Sequence, residues 1–98
     1  MKLKRVEHVA IAVNDMAESM KMLQDTLGIE MEYEEDLPHY NTKLAMFPIG
    51  ETYLEVLESS SPDTETSKWI EEHGEGLFHI CLEVDDIDGA LVELKEKG

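Results

Sequence analysis

The sequence predicts an α+β fold made of two related modules, each of which begins with a β-strand that leads into an α-helix. The first observation is an internal repeat, because VEHVAIAVNDM near the start of the chain returns in altered form as LFHICLEVDDI near its end. An offset of 71 residues aligns His8 with His79 and Asp15 with Asp86. The second observation is that strand-like alternation gives way to helical spacing at the same point of both copies. A repeated pattern of this kind indicates a repeated structural unit.

The first module begins with a predicted strand and helix. Residues 6–13 alternate in polarity and are rich in β-branched side chains, which is typical of a strand. Asn14 and Asp15 then offer N-cap oxygens to a helix, and Gly28 follows that helix where a left-handed C-cap is expected. The helix carries an apolar stripe that we expect to pack in the core: Met16, Met20, Leu23 and Leu27.

Three further strands complete the first module. IEMEYEE alternates apolar residues with glutamates, and KLAMF and TYLEVLE provide two more strand-like segments. PIGE separates the last two, and its Pro48 and Gly50 are turn residues, so we expect an antiparallel hairpin. Residues 1–58 are therefore predicted to form a complete β-α-β-β-β module.

A linker helix within residues 59–76 is predicted to connect the two modules. Ser61 before Pro62 is typical of an N-cap followed by the first helical turn. Gly74 is placed to end a short helix that carries Trp69.

Residues 77–98 are predicted to form part of a second module. They contain a strand at 77–84, a cap at Asp85 or Asp86, and a helix that reaches Lys97. By comparison with the first module, three more strands would follow. We therefore expect a single domain whose second module is truncated after its helix, and a chain that is a fragment. The alternative is a short form that completes its sheet with a partner chain.

The composition limits which binding partners and which cellular compartment are expected for the protein. The net charge of −15 argues against nucleic acid, which is bound through clustered Lys and Arg. No apolar run is long enough to cross a membrane, and MKLKRVEH lacks the pattern of a signal peptide. A single cysteine, Cys81, forms no internal disulfide, so we expect a cytoplasmic protein. A core of 98 residues is only marginally stable alone, which favours a homodimer.

Side-chain alternation places two histidines and one glutamate on the same side of the predicted sheet. His8 and His79 point away from the helix-packed faces of their strands, and Glu55 does the same if its strand belongs to that sheet. Imidazole and carboxylate ligands held on strands suit a catalytic divalent metal with open positions. A lone strand histidine is more often a hydrogen-bonded structural residue. The symmetric placement of the two histidines is what favours a metal site.

These features resemble the vicinal oxygen chelate superfamily of glyoxalases, bleomycin resistance proteins and dioxygenases, and within it the methylmalonyl-CoA epimerases. The resemblance is carried by EHVAIAVNDM, SSSPDTETSKWIEEHGEG and, most specifically, GEGLFHICLEVDDIDGAL. It implies paired modules that form a cupped mixed sheet around a divalent metal, with cobalt expected first and manganese, nickel, zinc or magnesium as alternatives. It also implies that His8, Glu55 and His79 are metal ligands, and that a fourth ligand, a Glu on a final strand, lies beyond Gly98.

The activity that the resemblance implies is epimerisation of methylmalonyl-CoA, an acyl-CoA thioester. The α proton becomes removable when a metal chelates the thioester carbonyl and the carboxylate, because the charge of the enolate then develops against a fixed cation. One group removes the proton and another returns it to the opposite face. The family is proposed to use the final-strand Glu as one of these groups, so the 98-residue chain is expected to be inactive or impaired as a fragment.

Two positions depart from the pattern of the family. A second acidic residue proposed in some members aligns near Lys43, where we expect a solvated strand lysine. The alternatives for Lys43 are a desolvated acid and a contact with a CoA phosphate. Phe78 occupies a position where the family often has a second histidine, and we expect it to pack in the core. The catalytic acid and base stay unassigned.

Two other functions stay open at this point. A glyoxalase-like lactoylglutathione lyase uses the same ligand geometry on a hemithioacetal substrate, and the linker sequence argues weakly against it. A metal-free small-molecule-binding protein is the other alternative. The two histidines and Glu55 argue against that class, because a pure binding protein does not need them.

Overall fold

The computed structural model describes residues 1–98 and contains five strands and three α-helices. In chain order these elements are β1 (Leu3–Val13), α1 (Met16–Lys21), β2 (Tyr33–Leu37), β3 (Thr42–Ile49), β4 (Thr52–Ser59), α2 (Glu65–His73), β5 (Gly76–Val84) and α3 (Ile87–Lys97). A π-helical turn (Met22–Thr26) continues α1, and a 3-10 turn (Pro38–Tyr40) links β2 to β3. The strands form one mixed sheet in the order β2-β3-β4-β1-β5. The α+β class and the β-α-β-β-β order of the first module are therefore confirmed.

Strand β1 pairs with one strand from each of the two related parts of the chain. It pairs in parallel with β4 and antiparallel with β5, so that Ala10 lies opposite both Glu55 and His79. All other neighbouring strands are antiparallel. The expectation that His8 and His79 lie on strands of the same sheet is confirmed, and those strands are direct neighbours.

Helix α1 packs on the face of the sheet opposite the two histidines. The carboxylate of Asp15 caps the helix by accepting a hydrogen bond from the Glu18 N–H at 3.1 Å. Gly28, with a φ of 69°, follows the helical segment as predicted. Leu27 is the exception in the predicted stripe, because the preceding π-helical turn changes the helical phase and leaves it exposed. The core cluster consists of Val13, Met16, Leu23, Ala45, Phe47 and Val56.

Two strand boundaries differ from the prediction because long-range pairing decides them. β1 begins at Leu3 and not at residue 6, since its first residues already pair with β5. β2 covers Tyr33–Leu37 and not 29–35, since its extent is set by pairing with β3. Ile29 and Met31 pack against the core from irregular chain before β2. The predicted hairpin between β3 and β4 is confirmed.

The predicted N-cap of α2 is wrong, whereas the predicted N-cap of α3 is confirmed. α2 begins after Thr64, whose Oγ1 accepts a hydrogen bond from the Ser67 N–H at 3.1 Å. The prediction of Ser61 as the cap is wrong, because Ser61 lies in the preceding turn and its carbonyl accepts from the Ser67 hydroxyl at 2.7 Å. α3 begins after Asp86, one of the two predicted caps, which accepts from the Gly89 N–H at 3.2 Å.

Apolar side chains are exposed on β5 and α3. Ile80 and Leu82 of β5 are at least half exposed, and α3 buries only Ala90. The large apolar residues exposed on α3 are Ile87, Leu91, Val92 and Leu94. None of the three helices is long and apolar enough to cross a membrane.

Candidate metal centre

Three side chains from neighbouring strands converge on the face of the sheet opposite α1, called here the site face. Nε2 of His8 on β1 lies 3.1 Å from Nε2 of His79 on β5 and 3.6 Å from a carboxylate oxygen of Glu55 on β4. Ala10 of β1 is fully buried and lies between Glu55 and His79 in the strand pairing. Because Ala10 carries only a methyl group, the side chains on either side of it have room to approach His8.

The donor atoms are spaced as they would be around one divalent cation. Metal bonds of about 2.0–2.1 Å place neighbouring donors roughly 2.8–3.4 Å apart, from right angles to tetrahedral angles. The separations of 3.1 and 3.6 Å are close to this range. Two imidazole nitrogens that face each other also need a proton or a cation between them, because both lone pairs are electron-rich. Two imidazoles and a carboxylate therefore fit the type of metal expected from the sequence.

The site is partly buried. The side chain of Glu55 is 11% exposed and that of His8 is 17% exposed, whereas His79 is open to solvent. Burial raises the pKa of the Glu55 carboxyl, and the neighbouring imidazoles of His8 and His79 oppose this shift. A buried carboxylate is costly without a compensating charge. A cation held between these three side chains would stabilise the charged form of Glu55.

A further polar residue, Glu7, lies at this site, and strand alternation does not predict it. Val6 pairs with Leu82 and His8 with Cys81, so Glu7 is the extra residue of a β-bulge in β1. Its carboxylate contacts Nδ1 of His8. Strict alternation would direct Glu7 toward α1. Only the register of β1 against β5 reveals its direction, and no local sequence signal encodes that register.

A second bulge precedes His79. His79 pairs with β1, and so does Leu77, which leaves Phe78 as the extra residue between them. The ring of Phe78 lies 5.2 Å from that of His79 and 5.7 Å from that of Trp69 on α2, measured between centroids. The expectation that Phe78 packs in the core is wrong, because the bulge turns it toward its histidine neighbour. Phe78 thereby links α2 to His79.

Lys43 lies on the opposite face of the sheet from the candidate ligands. It is exposed and borders a groove beside α1, in agreement with the interpretation as a solvated lysine. The next residue, Leu44, faces the site side of β3, as does Met46, which pairs directly with Glu55. β3 therefore presents apolar side chains to the site.

The comparisons with known proteins agree with this architecture. The sequence model of the glyoxalase/bleomycin resistance protein/dioxygenase superfamily matches residues 7–98. The chain is 31% identical to the mitochondrial methylmalonyl-CoA epimerase of Mus musculus over 97 residues, which are 98% of this chain and 54% of that protein. It thus spans about half the length of the mammalian curated relatives it matches.

A bacterial relative and a solved structure extend the similarity. The chain is 33% identical to the ethylmalonyl-CoA/methylmalonyl-CoA epimerase of Cereibacter sphaeroides over 95 residues, covering 96% of this chain and 71% of that protein. A variant methylmalonyl-CoA epimerase of Streptomyces coelicolor, solved in complex with 2-nitronate-propionyl-CoA, superposes with a TM-score of 0.92 at 30% identity. That superposition covers 99% of this chain and 72% of the other. The chain therefore belongs to the glyoxalase/bleomycin resistance protein/dioxygenase superfamily.

Proposed function

We propose that the protein, at its native length, is a metal-dependent epimerase of methylmalonyl-CoA in which His8, Glu55 and His79 hold the metal. The observation that carries the proposal is the convergence of the three donor atoms on one face of the sheet. The relatives named as methylmalonyl-CoA epimerases, at 31 and 33% identity, supply the substrate class. The similarity to a structure that contains an acyl-CoA nitronate supports a thioester ligand.

The residues of the chain would contribute in two ways, by binding the metal and by excluding water from the site. A divalent cation bound here supplies Lewis acidity that stabilises negative charge on the carbonyl oxygen of the substrate. His8 and His79 would each contribute an Nε2 atom to the metal, and Glu55 would contribute a carboxylate oxygen. Met46 lies opposite Glu55 and is buried, so it excludes water from that side of the carboxylate. The low polarity there strengthens the electrostatic interactions of the site.

Proton transfer at the α carbon needs an acid and a base in addition to the metal ligands. β3 carries apolar Leu44 and Met46 on the site face, and Lys43 points away from it. We therefore propose that a carboxylate from outside these 98 residues completes both the ligand set and the proton-transfer machinery. Cobalt is the metal we propose first, with manganese, nickel, zinc and magnesium as alternatives.

The proposal also covers assembly and location. Exposed apolar side chains on β5 and α3 are compatible with a homodimer, because apolar surface of this kind is usually covered in an assembled protein. A net charge of −15 and a single cysteine are compatible with the cytoplasm.

Exchange of the α proton of methylmalonyl-CoA with heavy water tests the proposed activity. The native-length protein, loaded with cobalt, is expected to introduce deuterium at the α carbon of methylmalonyl-CoA. His79→Ala should abolish the exchange, whereas Glu34→Ala, which removes an exposed carboxylate from β2, should not. Absence of exchange with metal present, or unchanged exchange in His79→Ala, would overturn the assignment. Lyase activity on a glutathione hemithioacetal in place of exchange would assign the protein to the lactoylglutathione lyases.

A further inference from the structure

We infer that Glu7 is a positioning residue, which fixes the tautomer and the orientation of the His8 imidazole so that Nε2 is free to bind a metal. The inference rests on the proposed metal site and adds a residue to it. It depends on the β-bulge in β1, which brings Glu7 to the same side of the sheet as His8.

The two ring nitrogens of His8 face different groups. Nδ1 contacts the carboxylate of Glu7, and Nε2 lies 3.1 Å from His79 and 3.6 Å from Glu55. A neutral imidazole carries one hydrogen, and an ionised carboxylate can only accept a hydrogen bond. Glu7 therefore selects the tautomer with the hydrogen on Nδ1, and the lone pair of Nε2 points toward Glu55 and His79.

Partial burial makes this contact effective. The side chain of His8 is 17% exposed and that of Glu7 is 29% exposed, so solvent only partly competes for the hydrogen bond. A hydrogen bond to an ionised acceptor is about twice as strong as a neutral one. A carboxylate behind a metal-binding imidazole fixes the ring and increases the basicity of the opposite nitrogen. Glu7 would act on the metal through His8 in this way.

The other histidine has no carboxylate partner of this kind. The residue that corresponds to Glu7 in the second copy of the repeat is Phe78, and it also occupies a bulge. Phe78 packs its ring against His79 but offers no acceptor. The only hydrogen-bond partner of the His79 imidazole is Nε2 of His8. The repeat thus holds its two histidines differently, one by a carboxylate and one by aromatic packing.

The tautomer of His8 can be measured without any metal. In the 15N-labelled, metal-free chain near pH 8, long-range 15N–1H correlation spectra distinguish a protonated Nδ1 from a protonated Nε2. We expect His8 to carry its hydrogen on Nδ1 in the wild-type protein and in Glu7→Gln, which keeps an acceptor oxygen. In Glu7→Ala, the His8 population should shift toward hydrogen on Nε2, and His79, whose Nε2 faces that atom at 3.1 Å, should shift toward hydrogen on Nδ1. A His8 with its hydrogen on Nε2 in the wild type, or with unchanged signals in Glu7→Ala, would overturn the inference.

Cobalt titration gives a second readout that separates this inference from the proposed metal site. Glu7→Ala is expected to weaken cobalt binding by about 10–100-fold, the usual cost of losing such a partner, with Glu7→Gln in between. Glu34→Ala serves as the matched control, since it removes a glutamate from an exposed position of β2.

The pattern across variants identifies which statement fails. If His79→Ala abolishes cobalt binding but Glu7→Ala leaves it unchanged, the role of Glu7 is wrong and the metal site stands. If cobalt binding survives His79→Ala, the proposed metal site is wrong, and the tautomer measurement still decides the effect of Glu7 on His8. Well-dispersed amide spectra of Glu7→Ala and Glu7→Gln would show that both variants retain the fold.

Discussion

The imidazoles of His8 and His79 meet with their Nε2 atoms 3.1 Å apart, although 71 residues separate them in the chain. The contact crosses the antiparallel pair formed by β1 and β5, and Glu55 approaches from the other neighbour of β1. A ligand that binds these atoms together would hold three strands in place. The stability of the fold and the affinity for metal are therefore expected to be linked.

The first prediction concerns this linkage. Cobalt at about 100 times its dissociation constant should raise the free energy of unfolding by about 2.7 kcal/mol, because it binds only the folded arrangement. His79→Ala should remove the increment, whereas His39→Ala, at an exposed histidine of the 3-10 turn, should keep it. Urea unfolding with and without cobalt measures both. An equal increment in wild type and His79→Ala would contradict the shared site.

The second prediction concerns Ala10, the fully buried residue between Glu55 and His79. Ala10→Val should lower the free energy of unfolding by about 1–3 kcal/mol through overpacking. It should also weaken cobalt binding by displacing the neighbouring side chains. Ala17→Val, on the exposed side of α1, is the control for the change in side-chain shape. Unchanged stability and cobalt affinity in Ala10→Val would show that Glu55 and His79 do not need a small side chain at position 10 to approach His8.

The third prediction distinguishes the two residues proposed as the cap of α2. Thr64→Ala should destabilise the protein by about 1 kcal/mol, since it removes the acceptor of the Ser67 N–H. Ser61→Ala should cost less, because it removes only a long hydrogen bond from the Asp63 N–H to the Ser61 hydroxyl, at 3.3 Å. The Ser61 backbone carbonyl that accepts from the Ser67 hydroxyl is preserved. Chemical denaturation of both variants provides the comparison. A larger loss in Ser61→Ala would restore the cap assigned from the sequence alone.

The fourth prediction concerns Lys43. Because its side chain lies on the α1 side of the sheet, Lys43→Ala should leave cobalt affinity and deuterium exchange unchanged. Glu55→Gln, on the site face, replaces a charged proposed ligand with a neutral one and should reduce cobalt affinity by at least the roughly 10-fold known for residues behind metal ligands. Isothermal titration with cobalt measures both variants. A marked loss of exchange in Lys43→Ala would mean that the lysine reaches the substrate.

Local sequence patterns were sufficient to predict the elements that depend on local chemistry. The cap at Asp15, the glycine at position 28 and the hairpin at Gly50 all follow from residue types that restrict the backbone nearby. Alternation also predicted that His8 and Glu55 share a face. The cap, the glycine and the hairpin need no knowledge of which strands are neighbours, whereas the shared face of His8 and Glu55 was predicted only on condition that their strands belong to one sheet.

The direction of Glu7 and Phe78 could not be predicted in the same way. Each is the unpaired residue of a bulge, and a bulge exists only relative to the partner strand. The start of β1 at Leu3 was missed for the same reason, because it depends on pairing with a partner strand. Leu27 was misplaced for a different reason, since the π-helical turn departs from the 3.6-residue period on which the helical pattern rests.

The position of β1 between β4 and β5 has a consequence for folding kinetics. Both pairings of β1 join segments that are far apart in the sequence, and such contacts form slowly because long loops must close first. The donor atoms of His8, Glu55 and His79 come together only after both loops have closed. A cation that binds at this late stage would change the folding rate little and would mainly slow unfolding. The effect of the metal on folding kinetics should therefore be measured as a decrease in the unfolding rate.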